Sequence, residues 1–177
     1  MVEGRVCIVT GAGRGIGREY ALMLGAHGGL VVVNDLGASR DGSGGDAGPA
    51  QDVVNEIKAA GGQAVANTDD ISSFAGAKNI VDQAIDTFGG LDVVVNNAGI
   101  LRDRMLFSMS EEEWDSVINV NLKSLFIVTK SVVPHMEENG YGRIVSASSI
   151  NGSAGAFGQT NYCATKAGIS GFTRALC

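Results

Sequence analysis

The chain has 177 residues, of which 45% are hydrophobic and 18% are charged, and this is enough for one domain around a single core. Its net charge of −6 argues against a nucleic acid or an anionic membrane surface as a partner, because both attract basic proteins. The 26 glycines follow no fixed period, which excludes a collagen-like repeat.

Nothing in the sequence indicates a membrane segment, a signal sequence or a metal site. No apolar run approaches the ~20 residues that a membrane-spanning helix needs, and an apolar strand begins already at Arg5. Cys7, Cys163 and Cys177 form an odd set without CxxC spacing, which is typical of free thiols in a reducing compartment. We therefore expect a soluble, cytoplasmic protein that binds no metal.

Short apolar segments alternate with helical patterns along the chain. The predicted strands cover residues 5–10, 30–34, 63–67, 91–95 and 143–147. The predicted helices cover residues 16–26, 49–60, 74–88, 110–133 and 159–177, with a polar, glycine-rich loop at 37–48. Ser110 and Glu113 open the fourth of these helices as an S-x-x-E capping box.

A helix between each two consecutive strands favours right-handed crossovers and a parallel sheet. We therefore predict an α/β fold with a doubly wound, Rossmann-type sheet in the strand order 3-2-1-4-5, built by a single domain over residues 1–177. Ligands bind such a sheet beyond the carboxyl ends of its strands. The residues that follow each strand are therefore the candidates for a functional site.

A glycine-rich turn, T-G-A-G-R-G-I-G at residues 10–17, joins the first strand to the first helix. It is neither a Walker A loop nor G-x-G-x-x-G, because its usable glycines fall at Gly11, Gly15 and Gly17. Gly11 permits a tight turn, and the bare backbone at Gly15 and Gly17 lets a pyrophosphate and the neighbouring strand approach. The helix N-terminus then faces the phosphates. The alternative is a glycine-rich connection without a ligand.

Asp35 follows the second strand, 18 residues after Gly17. A carboxylate at this distance can accept hydrogen bonds from both adenosine ribose hydroxyls, and it repels a 2′-phosphate. This favours NAD(H) over NADP(H) as the cofactor. Two alternatives stay open, because Asp35 is also an ordinary turn residue and because Arg14 or Arg40 could meet a 2′-phosphate.

Tyr162 and Lys166 lie four residues apart, on one face of the last predicted helix. Moving a tyrosine pKa from about 10 to about 7 requires about 4 kcal/mol in favour of phenolate. One ammonium at about 4 Å supplies about that much at an effective dielectric constant of about 20. The pair can therefore remove a proton from an alcohol beside an oxidised nicotinamide.

These motifs together resemble the short-chain dehydrogenase/reductase family over the whole chain. The turn reads T-G-x-x-x-G-x-G, residues 96–99 read N-N-A-G, and residues 162–166 read Y-x-x-x-K. Ser149 stands thirteen residues before the tyrosine, and Asn121 lies within N-V-N-L at 119–122. Ser146, Ser148 and Ser149 are equal candidates by their chemistry, and only the spacing selects Ser149.

The resemblance implies a role for each matching residue. Tyr162 would be the general acid/base, and Lys166 would hold the nicotinamide ribose and lower the tyrosine pKa. Ser149 would bind the substrate oxygen, and Asn121 would fix a water that relays protons. The remaining cofactor contacts would come from Gly11, Arg14, Gly15, Ile16 and Gly17 of the turn, from Asp35, from Asp70 and Ile71 at the adenine, and from Asn97, Ala98 and Gly99 along the adenosine.

The V-N-D-L-G segment at 33–37 further resembles the dehydrogenase domain of peroxisomal multifunctional enzymes and bacterial relatives, which oxidise 3-hydroxyacyl-CoA thioesters. The resemblance thus implies hydride transfer between NAD(H) and a secondary alcohol or ketone, with a hydroxyacyl-CoA or steroid as substrate. The alternatives are an NADP(H)-dependent 3-oxoacyl reductase and a non-catalytic nucleotide-binding fragment.

Family members are usually longer, so we expect that this sequence stops within the helix that carries Tyr162 and Lys166. Members commonly associate through that helix and through the helix that follows Ser110. We therefore expect the full-length protein to form a homo-oligomer, either a dimer or a tetramer.

Overall fold

The computed structural model describes residues 2–46 and 48–176, so Met1, Ala47 and Cys177 lie outside the described residues. Five strands form one sheet, and seven α-helices accompany it in these two ranges. The strands are β1 (Val6–Thr10), β2 (Leu30–Asn34), β3 (Gln63–Asn67), β4 (Val93–Asn96) and β5 (Arg143–Ser146). The helices are α1 (Gly15–Ala26), α2 (Gly48–Ala59), α3 (Phe74–Phe88), α4 (Glu111–Ile118), α5 (Ser124–Glu138), α6 (Asn151–Ala154) and α7 (Thr160–Leu176).

The strand order is β3-β2-β1-β4-β5, and every neighbouring pair is parallel. This confirms the predicted order and the predicted doubly wound sheet. Ile8 of β1 pairs with Val32 of β2 on one side and with Val94 of β4 on the other. The central strands therefore lie inside the protein, as their uninterrupted apolar sequences predict.

Alternate side chains of the central strands supply two separate cores, one on each face of the sheet. The residues on one face, Ile8, Val32 and Val94, pack with buried side chains of α3 and α5. The residues on the other face include Val9 and Val33, which pack with buried side chains of α1 and α2. Each face is thus covered by two helices, and the polar turns remain at the ends of the strands.

The helix that follows Ser110 is longer and less regular than predicted. After α4 it widens into a π-helical segment, Asn119–Lys123, and then continues as α5 through Pro134 to Glu138. The prediction that it ends near residue 133 was therefore wrong. A proline usually interrupts a helix, but Met136, beyond it, is buried in the core between the sheet, α3 and α5. That packing keeps the chain helical.

An 18-residue stretch of the combined helical run Glu111–Glu138 is apolar enough to cross a membrane by length and composition, with a mean hydropathy of 1.2. Val117, Leu125 and Val128 of this run are buried inside the protein, whereas Phe126 is exposed. A core helix of an α/β domain has the same composition.

Smaller differences from the predicted elements concern the ends of strands and the loops. The strand predicted at 91–95 is observed at Val93–Asn96, because the Asp92 carboxylate binds the Arg5 side chain at 2.7 Å and the Val6 amide at 2.9 Å. Neither the short 3₁₀ turn at Leu106–Ser108 nor α6 was predicted. Both are too short to carry a periodic apolar pattern.

The start of α4 provides a test of the capping box at acidic pH. Ser110 Oγ accepts the Glu113 amide at 3.1 Å, and the Glu113 carboxylate accepts the Ser110 amide at 2.9 Å and the Arg104 guanidinium at 2.9 Å. The Ser110 amide first, and Arg104 second, lower the pKa of Glu113. Folding therefore favours the ionised form of Glu113. Its stabilising effect is present above the ordinary glutamate pKa of about 4.3, and it is lost as the pH falls through the lower pKa that Glu113 has in the folded protein.

We expect Glu113→Gln to lower the Tm at pH 7, and the difference from the parent to disappear as the pH falls below about 4. Thermal unfolding followed by circular dichroism between pH 3 and pH 7 measures this. The matched control is Glu111→Gln, which alters an exposed glutamate in the same helical turn. A difference for Glu113→Gln that stays constant with pH would show that the carboxylate charge is not responsible.

Candidate active site

A clamp of polar groups joins the carboxyl ends of β1 and β4. The Thr10 hydroxyl accepts the backbone amides of Asn97 and Ala98, each at 3.1 Å, and donates to the Val95 carbonyl at 3.3 Å. The Asn97 side chain donates in return to the carbonyls of Thr10 and Gly11, also at 3.1 Å. The N-N-A-G segment is therefore held against the start of the glycine-rich turn.

The glycines of the turn serve two different purposes. A Cβ atom at Gly11 would lie 2.7 Å from the Cα atom of Ala98, and one at Gly17 would overlap the Gly11 carbonyl and the Asn97 side chain. These two glycines allow close packing of backbone against backbone. Gly15 has a φ of +55° and no heavy atom within 4 Å of the place where a Cβ would stand. Its backbone is open on that side, which suits the approach of a ligand.

Helix α1 begins beside Gly15 without a side-chain cap. Its N-cap residue, Arg14, is extended and forms no capping hydrogen bond through its side chain. The first amides of a helix have no acceptors within the helix, and the helix dipole is positive there, so such an end binds anions. The open glycine backbone and the uncapped helix therefore fit a dinucleotide pyrophosphate. Ile16, which is 67% exposed, lies on the same turn.

Asp35 joins the turn to the loop that follows β2. Its carboxylate accepts the Gly13 amide at 2.8 Å and the Gly37 amide at 2.7 Å. A Cβ at Gly13 would lie 2.7 Å from Cβ of Pro49 and 2.9 Å from the Asp35 carboxylate. The sequence analysis missed Gly13 as a required glycine, because this requirement arises from contacts with distant residues.

A cleft of about 500 Å³ lies beside the turn, between the first turns of α1 and α2. Its charged lining includes Arg14, Arg18, Asp46, Asp52 and Glu56. Arg18 is paired with Glu56 and with Glu19, whereas Arg14 is an exposed cation of the same lining, next to the turn.

Two other predicted groups lie on neighbouring loops. The Asp70 carboxylate accepts the amide and the hydroxyl of Ser72 at 2.8 and 2.7 Å, and Ile71 is buried in the core. This loop follows β3, next to β2, so it lies on the Asp35 side of the sheet. The Arg40 carbonyl accepts the Leu101 amide at 2.9 Å, which ties the glycine-rich loop to the segment after N-N-A-G. The adenine contacts of Asp70 and Ile71 stay a prediction.

Helix α7 brings Tyr162 and Lys166 to the end of β5. The Lys166 Nζ atom lies 5.6 Å from the centre of the Tyr162 ring and donates to the Ala147 carbonyl at 2.6 Å. The Lys166 residue is only 5% exposed, and this burial lowers its pKa from the ordinary value. Tyr162 is half-buried. The structure thus brings together the two groups of the proposed proton transfer.

The three candidate serines occupy different positions. Ser146 ends β5, and the Ser148 hydroxyl donates to the Lys166 carbonyl at 2.7 Å, so Ser148 is used to hold α7. Ser149 is half-buried, and its hydroxyl accepts the Asn151 amide at 3.2 Å. The Ser149 hydroxyl therefore still has its proton to donate, and its contact with a substrate oxygen stays a prediction.

Asn121 lies in the π-helical segment and is buried. Its side chain accepts the Ile100 amide at 2.8 Å and donates to the Ile100 carbonyl at 3.0 Å. A Cβ atom at Gly99 would lie 3.3 Å from the Asn121 side-chain oxygen. The amide is thus bonded to the backbone that follows N-N-A-G, and a relay through Asn121 stays a prediction. π-Helical turns inside α-helices often mark functional sites.

The described residues contain two free cysteines, Cys7 and Cys163, and no group of three or more His, Cys, Asp or Glu side chains placed to hold a metal ion. Burial raises the pKa of the Cys7 thiol to about 12, because the residue lies in the core. Cys177, the third cysteine of the sequence, lies outside the described residues.

Known proteins that are similar to this chain belong to the family that its sequence motifs resemble. The family model described as short chain dehydrogenase matches residues 5–177. The peroxisomal multifunctional enzyme type 2 of Mus musculus is 51% identical over 174 residues, which are 98% of this chain and 23% of that protein. A hydroxyacyl-CoA dehydrogenase of Mycobacterium tuberculosis is 45% identical over 184 residues, covering 97% of this chain and 55% of its own length.

Among solved structures, a 7α-hydroxysteroid dehydrogenase complexed with NADH and 7-oxo glycochenodeoxycholic acid matches with a TM-score of 0.90 and 34% identity. The match covers 99% of this chain and 65% of that one. This chain therefore spans less than two thirds of the length of each of these three relatives.

The glycine contacts predict different effects of two similar substitutions. Gly17→Ala places a methyl group against the Gly11 carbonyl, so we expect a loss of stability of about 3 kcal/mol, at the upper end for overpacking. Gly15→Ala places the methyl group in open space, so the only cost is that of a left-handed backbone at a residue other than glycine. We expect a loss of stability of about 1 kcal/mol. Urea denaturation measures both free energies of unfolding. Equal losses would contradict the assignment of Gly17 to close packing.

Proposed function

Because the chain belongs to the short-chain dehydrogenase/reductase family, we propose that it forms the nucleotide-binding and catalytic part of an NAD(H)-dependent oxidoreductase. The proposed reaction interconverts a secondary alcohol and a ketone. The observation that carries this proposal is the buried Lys166 ammonium group next to the half-buried Tyr162 phenol, at the carboxyl end of the sheet. The resemblance found in the sequence motifs is confirmed at the level of the family.

Tyr162 is the proposed general acid/base. A positive charge beside the phenol would stabilise the negative charge that develops on its oxygen when the proton leaves. Lys166 is held close by its bond to Ala147, and Ser148 holds the backbone at the same point. The phenolate would take the hydroxyl proton of an alcohol, and in the reverse direction the phenol would return it to the ketone oxygen.

Ser149 would donate a hydrogen bond to the substrate oxygen from its position after β5. Gly15 and the first turn of α1 would hold the pyrophosphate, and Asp35 would accept the ribose hydroxyls. The bound dinucleotide supplies the hydride acceptor or donor of the reaction. Asn121 would contribute to proton movement by fixing a water.

For the substrate we propose a 3-hydroxyacyl-CoA or a steroid alcohol. Support comes from the names of two relatives, a hydroxyacyl-CoA dehydrogenase and a hydroxysteroid dehydrogenase. We also propose that the full-length protein is a cytoplasmic homo-oligomer. The support for association is the exposure of apolar side chains such as Phe126 on α5.

An NADP(H)-dependent 3-oxoacyl reductase is the second candidate, and Arg14 is the observation that favours it. This exposed cation lines the cleft beside the turn, where it could pair with a 2′-phosphate. Asp35, Asp46 and Asp52 oppose this reading, because they place negative charge in the same region.

The reaction itself is tested by following NADH absorbance with the full-length protein and panels of 3-hydroxyacyl-CoA thioesters and hydroxysteroids. We expect Tyr162→Phe to lower kcat by about 10²- to 10⁴-fold, the usual contribution of a general acid/base, while the Kd for NADH stays within about threefold. Tyr141→Phe is the matched control, because Tyr141 is half-buried at the opposite end of the sheet and stacks with Arg5 and Arg143. Binding of NADH without turnover of any alcohol would favour the non-catalytic alternative.

The cofactor preference is tested by substituting Asp35. We expect the unmutated protein to prefer NAD(H), and Asp35→Ala to reduce the ratio of kcat/KM for NAD⁺ over NADP⁺ by about tenfold or more, which corresponds to about 1.4 kcal/mol. Asp86→Ala, which removes an exposed carboxylate from the C-terminal part of α3, away from the turn, is the control and should leave the ratio within about threefold. Tighter binding of NADPH than NADH by the unmutated protein would overturn the assignment.

A further inference from the structure

Asn161, which directly precedes Tyr162, is a fully buried amide at the start of α7, with 0% exposure. Its side-chain oxygen accepts the Tyr162 backbone amide at 2.7 Å. Its side-chain nitrogen donates to the Arg102 carbonyl at 3.0 Å and to the Glu113 carbonyl at 3.2 Å. A buried amide is tolerated only when its polar atoms are bonded, and here both are.

The two carbonyl partners belong to parts of the chain that carry none of the proposed catalytic residues. Arg102 lies in the segment 102–104, which we call the strap, and Glu113 lies in the first turn of α4. The strap is itself fixed, because the Arg104 amide donates to the Gly158 carbonyl at 2.8 Å and the Arg104 guanidinium binds Glu113 at 2.9 Å. Asn161 thus ties the beginning of α7 to two anchored elements.

The bond to the Tyr162 amide matters because of where it falls in the helix. Tyr162 is the third residue of α7, so its backbone N–H belongs to the first turn, whose amides lack acceptors within the helix and which readily frays. The side chain of Asn161 supplies the missing acceptor. It therefore limits the movement of the backbone that carries the phenol.

Lys166 is held independently, one turn further along α7. Its side chain donates to the Ala147 carbonyl, and its own carbonyl accepts the Ser148 hydroxyl. In addition, a Cβ atom at Gly152 would lie 2.7 Å from the Lys166 carbonyl carbon, so α6 packs directly against α7 there. Loosening the first turn therefore moves Tyr162 relative to a lysine that stays in place.

We propose that Asn161 is a positioning residue for Tyr162: by bonding the Tyr162 amide, the strap and α4 together, it keeps the phenol aligned with Lys166. The inference rests on the proposed function, in which Tyr162 transfers the proton. Proton transfer depends on the first turn of α7, whereas NADH binding depends on the glycine-rich turn at the end of β1. Loosening the first turn of α7 should therefore lower turnover and leave NADH affinity unchanged, whereas a general loss of structure would lower both.

The test is Asn161→Ala in the full-length protein. We expect kcat for alcohol oxidation to fall about tenfold or more, in the range reported for small misplacements of a catalytic group, while the Kd for NADH stays within about threefold. The KM for the alcohol should stay within about threefold, because Asn161 bonds backbone groups and does not contact the substrate. Amide hydrogen exchange at residues 160–163 should become faster.

Two further variants make the test specific. Asn139→Ala is the matched control, because this exposed asparagine follows α5 and precedes β5, at the opposite end of the sheet from Tyr162; we expect kcat within about threefold of the parent. If Asn161→Ala does not fold, Arg104→Gln loosens the strap through its pair with Glu113 and should lower kcat by a smaller factor, with the Kd for NADH again within about threefold.

An unchanged kcat in Asn161→Ala, or equal losses of turnover and NADH affinity, would overturn the inference while leaving the proposed function intact. In that case Tyr162→Phe still lowers kcat by about 10²- to 10⁴-fold in the same assay. If the unmutated full-length protein turns over no alcohol or ketone, the proposed function is wrong and the inference falls with it.

Discussion

The pairing of Thr10 with the Asn97–Ala98 backbone is the constraint on which the rest of the site depends. It brings the ends of β1 and β4 so close that Gly11 lies against Ala98 and Gly17 lies against Gly11. Only backbone without side chains fits between them. The shape of the turn therefore follows from the packing of two strand ends, and an open helix N-terminus for a phosphate is the result.

The same strand ends also position α7, the helix that carries Tyr162 and Lys166. After N-N-A-G the chain reaches Ile100, whose backbone is bonded to Asn121 in the π-helical segment, and then the strap, which Asn161 joins to α7. On the other side, the Ala147 amide donates to the Asn96 carbonyl, and the Ala147 carbonyl accepts Lys166. Two sets of hydrogen bonds thus connect Tyr162 and Lys166 to β4, the strand whose end also fixes the glycine-rich turn.

The sequence was sufficient to predict the parts of the fold that depend on local pattern. The valine-rich strand β2 and the Ser110–Glu113 capping box were placed correctly because each is encoded by neighbouring residues. The continuation of α5 through Pro134, the π-helical turn at Asn121 and the requirement for glycine at position 13 were not predicted. Each depends on residues far away in the sequence, such as Ile100, Asp35 or the core around Met136, so no local signal could identify it.

In the proposed function, Asp35 would serve the fold and the ligand together. An ionised carboxylate offers about four acceptor positions, and the amides of Gly13 and Gly37 use two of them. These bonds fix the carboxylate between the turn and the following loop, and the remaining positions are free to meet the two hydroxyls of a ribose. A group held in this way needs no reorganisation when a ligand arrives, which reduces the entropy lost on binding. The two bonds fix the position of the negative charge as well as the geometry. A 2′-phosphate in the same place would therefore be repelled, because the carboxylate cannot rotate away from it.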